Sequence, residues 1–435
     1  MKNKNLIKLY KKILKFIGAE TFQYLFTIAV MLLVYGKLTI GKLNIENIID
    51  LSLIMSLFIT FMATKISFQL SIFIKNKLED HEKLNTNYDA IVAKYPRCKN
   101  IISYVNKAEA NYKLGRKFTS SKRKNTRGIE DEYIFPVVIE AKTKGREIII
   151  NDKDSFYSPP AEIEKNKDKI MAAHKFSTVY NQINVRLDNI LATNHSISLE
   201  TSRTTYFHSL ITNRAMDYKW CDITNREYYS PGPFFESLKE SKLSNHLGFN
   251  GFIETSDGYI IFILRSNNVS IGKGTLGNSI AASLKTKYAL NDDKKFIEGY
   301  EDNAYGLIPA IKQEIMDELK IDAKEYEFSL EKNLIAFYRD MVEGGKPQFL
   351  IYVKVNTSLA SIRENFKKDV KKTCLKSSIK ENKMAIDGKK LIGIKRDKID
   401  QLYITPDTIV CKKKAYKVMP SAAAAIVMLI QHLRD

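Results

Sequence analysis

Residues 248–266 read GFNGFIETSDGYIIFILRS, and this stretch decides how the C-terminal half of the chain folds. Apolar, β-branched and aromatic residues fill both of its halves, and Asp257-Gly258 stands between them. An Asp-Gly pair between two such runs is typical of the tight turn of a β-hairpin. The stretch therefore predicts two strands joined by a turn.

The chain that follows the hairpin alternates between helical and extended patterns. A glycine-rich loop is predicted at 272–277 and a helix at 306–320, whose first turn tolerates Pro309. The remaining predicted elements are strands at 349–355, 391–395 and 402–405 and a last helix at 421–433. This order predicts a mixed α/β sandwich.

The segment before the hairpin is more polar. Residues 132–150 predict two strands with a turn at Lys144-Gly145, and residues 161–190 predict helix after a break at 158–160. Residues 79–130 resemble a connecting region, and its basic run at 116–127 is either a solvated loop or a lipid- or phosphate-facing patch.

Two uncharged apolar runs near the N-terminus, 21–35 and 48–64, predict two membrane-spanning helices. Each run is close to the lower limit of about 17 residues for a helix that spans a membrane. Lysines flank the pair on both sides: Lys2, Lys4, Lys8, Lys11, Lys12 and Lys15 before it, and Lys65, Lys75 and Lys77 after it. The positive-inside rule then predicts a two-span membrane protein with both termini in the cytoplasm.

The predicted fold class is therefore two N-terminal transmembrane α-helices plus a cytosolic α/β domain with a mixed-sheet sandwich. The predicted divisions are a basic amphipathic segment, a two-helix anchor, a linker and middle α/β region, and a C-terminal domain, at 1–20, 21–78, 79–245 and 246–435.

The composition of the chain limits the classes of binding partner and of protein that fit it. The formal net charge is +20, which favours an anionic partner such as nucleotide, nucleic acid or lipid, although a lysine-rich codon bias gives the same balance without a function. With 44% hydrophobic residues, the chain is not a low-complexity disordered protein. Its four cysteines show no ligand spacing, which argues against a disulfide scaffold or structural zinc.

Three carboxylates, Glu314, Asp317 and Glu318, have helical spacing that places them on one face. Oxygen ligands of this kind suit Mg²⁺, which could in turn hold a diphosphate. The alternative interpretation is a solvated acidic face.

The segment Gln313–Ile321 resembles the second half of the Nudix box, with Gly299 at the first position of the motif. The preceding hairpin is similar to the strand pair before the box, so the resemblance covers roughly 248–410. The chain departs from the motif at Tyr305, Gln313 and Lys320, which replace a glutamate, an arginine and a glycine. The resemblance implies a degenerate Nudix domain that keeps nucleotide recognition and loses turnover.

The segments at 202–218 and 241–258 extend the resemblance to the SMODS-associated Nudix domain family, the two-transmembrane Nudix effectors of CBASS anti-phage systems. That resemblance implies a sensor whose Nudix-like domain binds a cyclic oligonucleotide and drives oligomerisation of transmembrane helices that disrupt the inner membrane. It also implies a functional link to a cyclic-nucleotide synthase, contact with membrane lipids and a homo-oligomer. No cofactor is required, and Mg²⁺ stays possible.

Four residues are predicted to line the ligand site: Arg203, Tyr206, Arg214 and Arg265. Arginine pairs with phosphate, and an aromatic ring stacks on a base. Two other functions stay open: a Mg²⁺-dependent, membrane-anchored Nudix hydrolase of a nucleoside diphosphate derivative, and a nucleic-acid-binding protein. Long nucleic acid is the least favoured partner, because no motif of recognisable spacing for it is present.

Overall fold

The computed structural model describes residues 63–64, 66–67, 69–70, 84–106, 123–124, 131–172, 181–220, 222–265, 272–290, 306–376, 388–411 and 414–435. The chain divides into two compact units, Met1–Glu82 and Lys83–Asp435. The architecture below is that of the second unit.

The predicted membrane anchor requires correction. Except for two residues, the runs 21–35 and 48–64 lie outside the described residues. Among the residues that are described, no helix is long and apolar enough to cross a membrane. Leu359–Lys376 has 18 residues but is rich in lysine, and Pro420–Arg434 is apolar but has only 15 residues.

The predicted fold class of two transmembrane helices plus an α/β domain is therefore wrong, as is the two-span inner-membrane localisation. The physical reason is that hydropathy is a property of a short run, whereas a span needs one continuous helix of about 20 apolar residues. The fold that the structure supports is an α/β domain built on a mixed sheet.

Eighteen strands occur in the described part of the chain: β1 Ile101–Val105, β2 Arg123–Lys124, β3 Asp131–Lys142, β4 Glu147–Phe156, β5 Ile183–Ala192, β6 Ser196–Thr205, β7 Lys219–Trp220, β8 Ile223–Thr224, β9 Gly248–Glu254, β10 Tyr259–Arg265, β11 Leu276–Gly277, β12 Ile280–Ser283, β13 Leu334–Asp340, β14 Lys346–Lys354, β15 Gly388–Lys395, β16 Tyr403–Ile404, β17 Thr408–Cys411 and β18 Lys414–Lys417.

The described α-helices are α1 Tyr88–Ala93, α2 Ala161–Lys165, α3 Lys167–Ala172, α4 Tyr206–Ile211, α5 Asn225–Tyr229, α6 Thr286–Ala289, α7 Leu307–Leu319, α8 Leu330–Asn333, α9 Leu359–Lys376 and α10 Pro420–Arg434. Several are a single turn that a polar side chain caps. The Thr224 side chain, for example, accepts a hydrogen bond from the Glu227 backbone and so starts α5.

Ten of the described strands form one mixed sheet, whose main order is β1-β3-β13-β14-β9-β10-β11. Strands β14 and β9 are parallel, and β13 pairs antiparallel with both β14 and β3. Strand β12 adds to β9, and β15 adds to β10. A separate sheet of order β4-β6-β5 contributes side chains to a hydrophobic core that it shares with the large sheet.

The large sheet is buried on both faces. Along β10, Ile261 faces a core that includes α7 and α9, whereas Phe262 faces a second core that includes α10. Alternate side chains of a strand point to opposite faces, so a strand covered on both sides must be apolar throughout. This requirement explains the run YIIFILR in β10.

Several local predictions are confirmed. The Asp257-Gly258 turn separates β9 from β10, with φ +73° at Gly258. The helix predicted at 306–320 is α7, and strands and a last helix occur where the C-terminal pattern predicts them.

The two strands predicted over 132–150 with a turn at Lys144-Gly145 are confirmed as β3 and β4, although β3 pairs with β13 in the large sheet and β4 pairs with β6. One local prediction is wrong. The helix predicted over 161–190 gives way to strand β5 from Ile183, where burial against β6 and the core overrides helix propensity.

Candidate functional site

A groove of about 860 Å³ lies where the end of α10 meets the end of β14. Its floor and walls come from segments far apart in sequence. The lining residues are Tyr326, Glu327, Phe328, Ser329, Lys332, Asn333, Tyr352, Lys354, Asn356, Arg396, His432, Leu433 and Asp435.

Three permanent cations line this groove: Lys332, Lys354 and Arg396. Within the described ranges, neither lysine forms an ion pair, and both are exposed. Arg396 is 46% exposed in its side chain. Two acids, Glu327 and Asp435, also line the groove. The two exposed lysines are therefore the cations of the groove that are best placed to attract an anion.

The second component of the groove is aromatic. Tyr326, Phe328 and Tyr352 line it. The Tyr326 hydroxyl is buried and has no hydrogen-bond partner in the part of the chain that the structure describes. Burial raises the pKa of Tyr326, so the phenol stays protonated.

A buried carboxylate behind the groove holds two of its side chains. Glu254 is 8% exposed, accepts a hydrogen bond from the Tyr352 hydroxyl and lies 3.8 Å from Arg396 Nε. The His432 ring packs edge-on to Tyr352 at 6.0 Å. Burial lowers the pKa of His432, with Lys144 adding to the effect, so this imidazole is neutral at pH 7. The groove thus combines fixed aromatic rings with positive charge.

The residues that the sequence predicts as ligand wall lie elsewhere. Arg203 in β6 is 2% exposed and donates to both carboxylate oxygens of Asp152, at 2.6 and 2.7 Å. The pair joins β6 to β4. A buried bidentate pair of this kind leaves little of the guanidinium for a ligand.

Tyr206 and Arg214 do come together. Arg214 Nη1 donates to the Tyr206 hydroxyl at 2.7 Å, and its guanidinium lies over the Tyr206 ring at 5.3 Å. Arg214 Nε is 3.6 Å from Glu343 Oε2, and Lys346 Nζ is also 3.6 Å from that oxygen. These contacts form part of a buried charge cluster, defined here as Arg214, His246, Asp340, Glu343 and Lys346.

The charge cluster is almost closed to water, and this changes its titration. Although burial acts in the opposite direction, Lys346 and Arg214 hold the pKa of Glu343 below its ordinary value. Burial and the neighbouring Glu343 raise the pKa of Asp340 to about 7. Burial, with both cations, lowers the pKa of His246 well below its usual range. The cluster therefore holds one firm carboxylate between two cations.

Arg265 lies at the end of β10 and is separate from both sites. Its backbone N–H donates to the Thr275 carbonyl at 2.9 Å. Its Nε is buried, and no hydrogen-bond partner for that atom occurs among the described residues.

The three predicted metal ligands do not converge. Glu314 is 3% exposed and forms an ion pair with Lys285. Asp317 is exposed and accepts from Gln313 Nε2 at 2.9 Å and from the Tyr288 hydroxyl at 3.3 Å. Glu318 is half-buried on the same helix. No group of three or more possible metal ligands occurs among the residues with described positions. Burial raises the pKa of Glu314, and the positive charge of Lys285 acts to lower it.

Sequence reasoning missed the groove. One signal was present in strand β14, where FLIYVKV ends its apolar run with Tyr352 and Lys354, two residues apart and hence on one face. The contributions of Lys332 and Arg396 come from distant segments, and no local pattern connects them.

Comparison of the chain with models of known protein families gives no match, and neither does comparison with curated proteins. The resemblance to a Nudix effector therefore rests on the residues quoted above and stays a hypothesis.

Proposed function

We propose that the unit Lys83–Asp435 is a sensor domain that binds a nucleotide second messenger in the groove, with a cyclic oligonucleotide as the ligand that the sequence resemblance favours. The observation that supports this function is the combination of Lys332, Lys354 and Arg396 with aromatic rings around about 860 Å³. Pockets for small ligands generally measure roughly 300–1,000 Å³.

The chemistry of the groove suits both parts of a nucleotide. Phosphate oxygens pair with the exposed ammonium groups of Lys332 and Lys354 and with the guanidinium of Arg396. A base stacks on an aromatic ring, which contributes roughly 1–3 kcal/mol per base. Glu254 keeps Tyr352 and Arg396 in place before the ligand arrives, which reduces the entropy lost on binding.

A sensor must bind its ligand better in one state than in another. The groove is lined by the end of α10 and by the segments that precede and follow β14 in the sequence. A ligand that contacts all of these segments stabilises one arrangement of them. We expect this stabilisation to favour a homo-oligomer, with a cyclic-nucleotide synthase as the source of the signal.

Calorimetric titration of the full chain with a panel of cyclic di- and trinucleotides tests this proposal. Lys354→Glu should weaken binding about 10- to 100-fold, since it removes a charge-assisted contact and adds repulsion. Lys417→Glu is the matched control, because Lys417 is also exposed at the end of a strand, changes the net charge equally and lies outside the groove.

Absence of binding by any member of the panel, or equal weakening by both variants, would refute the proposal. The same titrations with Mg²⁺, followed by chromatography of the nucleotides and of a panel of nucleoside diphosphate derivatives, test the hydrolase alternative. Turnover that Glu318→Gln abolishes would replace the sensor proposal with an enzyme.

A further inference from the structure

Four residues meet on one face of the large sheet where its parallel strands β9 and β14 begin. Gln348 in β14 lies directly beside Gly248 in β9. Side chains two residues apart on a strand share a face, so Lys346 continues this face along β14 and His246 continues it just before β9. Lys346 contributes to the lowered pKa of His246, which agrees with this placement.

Gly248 leaves a hollow among these side chains. A Cβ atom on Gly248 would lie 3.4 Å from Lys346 Nζ, 3.6 Å from Gln348 Cγ and 3.4 Å from the Ala282 carbonyl oxygen. All three are ordinary van der Waals distances, so a methyl group would fit there without displacing its neighbours. A space of this size also accepts a single-atom ion such as chloride, within reach of the Lys346 ammonium.

The side chains around the hollow have unused hydrogen-bonding capacity. His246 is 0% exposed, and neither of its ring nitrogens has a hydrogen-bond partner in the described part of the chain. Lys346 is 6% exposed, and its ion-pair partner, Glu343 Oε2, lies 3.6 Å from Nζ, which exceeds the usual length of a hydrogen bond. Gln348 Oε1 accepts from Asn250 Nδ2, whereas Gln348 Nε2 has no acceptor among the described residues. Buried polar groups are nearly always paired, so this set of donors indicates a ligand that accepts.

The charges of the buried charge cluster indicate the sign of that ligand. Arg214 and Lys346 share one carboxylate, that of Glu343. The second acid, Asp340, is fully buried, and burial with the neighbouring Glu343 raises its pKa to about 7, so below this pH it is mostly neutral. The cluster then carries one more positive than negative charge, and a buried charge is costly without a counter-ion.

We propose that His246, Gly248, Lys346 and Gln348 form a binding site for one small monovalent anion of the size of chloride. Lys346 supplies the positive charge, the imidazole and the amide supply further donors, and Gly248 supplies the space. A tetrahedral oxyanion such as phosphate is larger than a methyl group and does not fit this hollow. The bound ion would tie the start of β9 to the start of β14, the parallel pair in the middle of the sheet.

This anion site is separate from the groove. Lys346 begins β14 and Lys354, which lines the groove, ends it. Eight residues of extended chain span about 26 Å. None of the four residues of the anion site lines the groove, so the inference goes beyond the proposed function.

Equilibrium unfolding of the full chain in urea, with sodium chloride compared with sodium gluconate at equal ionic strength, tests the site. An ion that binds only the folded state raises the folded-to-unfolded ratio roughly tenfold at ten times its Kd, so the midpoint should be higher in chloride. Gly248→Ala fills the hollow and should abolish this difference. Gly277→Ala is the matched control, because its Cβ would also stand 3.5 Å or more from its neighbours, neither glycine has a positive φ, and Gly277 lies outside the site.

Anomalous diffraction from crystals of the full chain grown in bromide locates the ion without any variant, and so decides the question even if Gly248→Ala does not fold. The expected result is a bromide peak within hydrogen-bond distance of Lys346 Nζ. Equal midpoints of the parent protein in chloride and gluconate, a chloride response that Gly248→Ala retains, or the absence of a bromide peak beside Lys346 would overturn the proposal. Because Lys354→Glu tests nucleotide binding in the groove, failure of one site leaves the other intact.

Discussion

The buried charge cluster gives a sharp prediction for Glu343→Gln. The Glu343 carboxylate is the shared partner of Arg214 and Lys346, each 3.6 Å away. The side chains of Arg214 and Lys346 are 13% and 7% exposed, so water screens neither contact well. Replacement by glutamine keeps the shape and removes the negative charge that both cations share.

The magnitude follows from these distances. At 3.6 Å and an effective dielectric constant of about 20, one ion pair has a Coulomb energy of about 5 kcal/mol. Most of that energy offsets desolvation, and breaking a buried pair by removing one partner usually costs roughly 3–5 kcal/mol. Burial already lowers the pKa of Lys346, so loss of a proton from this lysine limits the cost. We expect about 3–5 kcal/mol at pH 7, with a larger loss at lower pH.

Equilibrium unfolding in urea, followed by circular dichroism, measures this change as a shift of midpoint at constant slope. The matched control is Glu364→Gln, which removes an ion pair to Lys368 whose two side chains are 67% and 63% exposed. This control should leave the midpoint unchanged within error. If the Glu343→Gln midpoint moves no further than that of the control, the reasoning about the cluster is refuted.

Three other predictions concern single positions. Gly344→Ala should lower the free energy of unfolding by roughly 2–5 kcal/mol, because φ is +62° and the new Cβ would lie 2.5 Å from Met216 Sδ. The control Gly145→Ala, at φ +73° with nothing within 4 Å, should lower it by only about 1 kcal/mol. Similar urea midpoints for the two variants would contradict this prediction. The raised pKa of Asp340, about 7, means that its contribution to stability is complete below about pH 4 and is lost as the pH rises through 7. Asp340→Asn removes this loss, so the stability of the parent should fall relative to the variant between about pH 4 and 7, and parallel profiles would exclude the assignment. Tyr326→Phe removes a buried hydroxyl without a partner among the described residues and should raise the free energy of unfolding by about 1 kcal/mol in urea; a lower stability would show that the hydroxyl is satisfied.

Elements whose cause is local can be predicted from the amino-acid sequence alone. The Asp257-Gly258 turn, the apolar strands on both sides of it and helix α7 each depend on residues within one short segment. Their patterns are therefore readable without the rest of the chain, because turn geometry and side-chain period act over a few residues. The same local reasoning failed for the membrane anchor, because an apolar run does not by itself establish a helix long enough to span.

Contacts between distant segments could not be predicted in this way, because they depend on the packing of the whole domain. Strands β3 and β4 are neighbours in sequence but join different sheets. Glu314 forms an ion pair with Lys285, a contact that the spacing of the carboxylates on its own helix does not predict. The groove likewise unites Lys332 and Arg396 from segments more than sixty residues apart. Contacts of this kind form when helices and loops cover the two apolar faces of the sheet. The free energy gained by burying those faces comes from the whole core, so no single sequence motif encodes it.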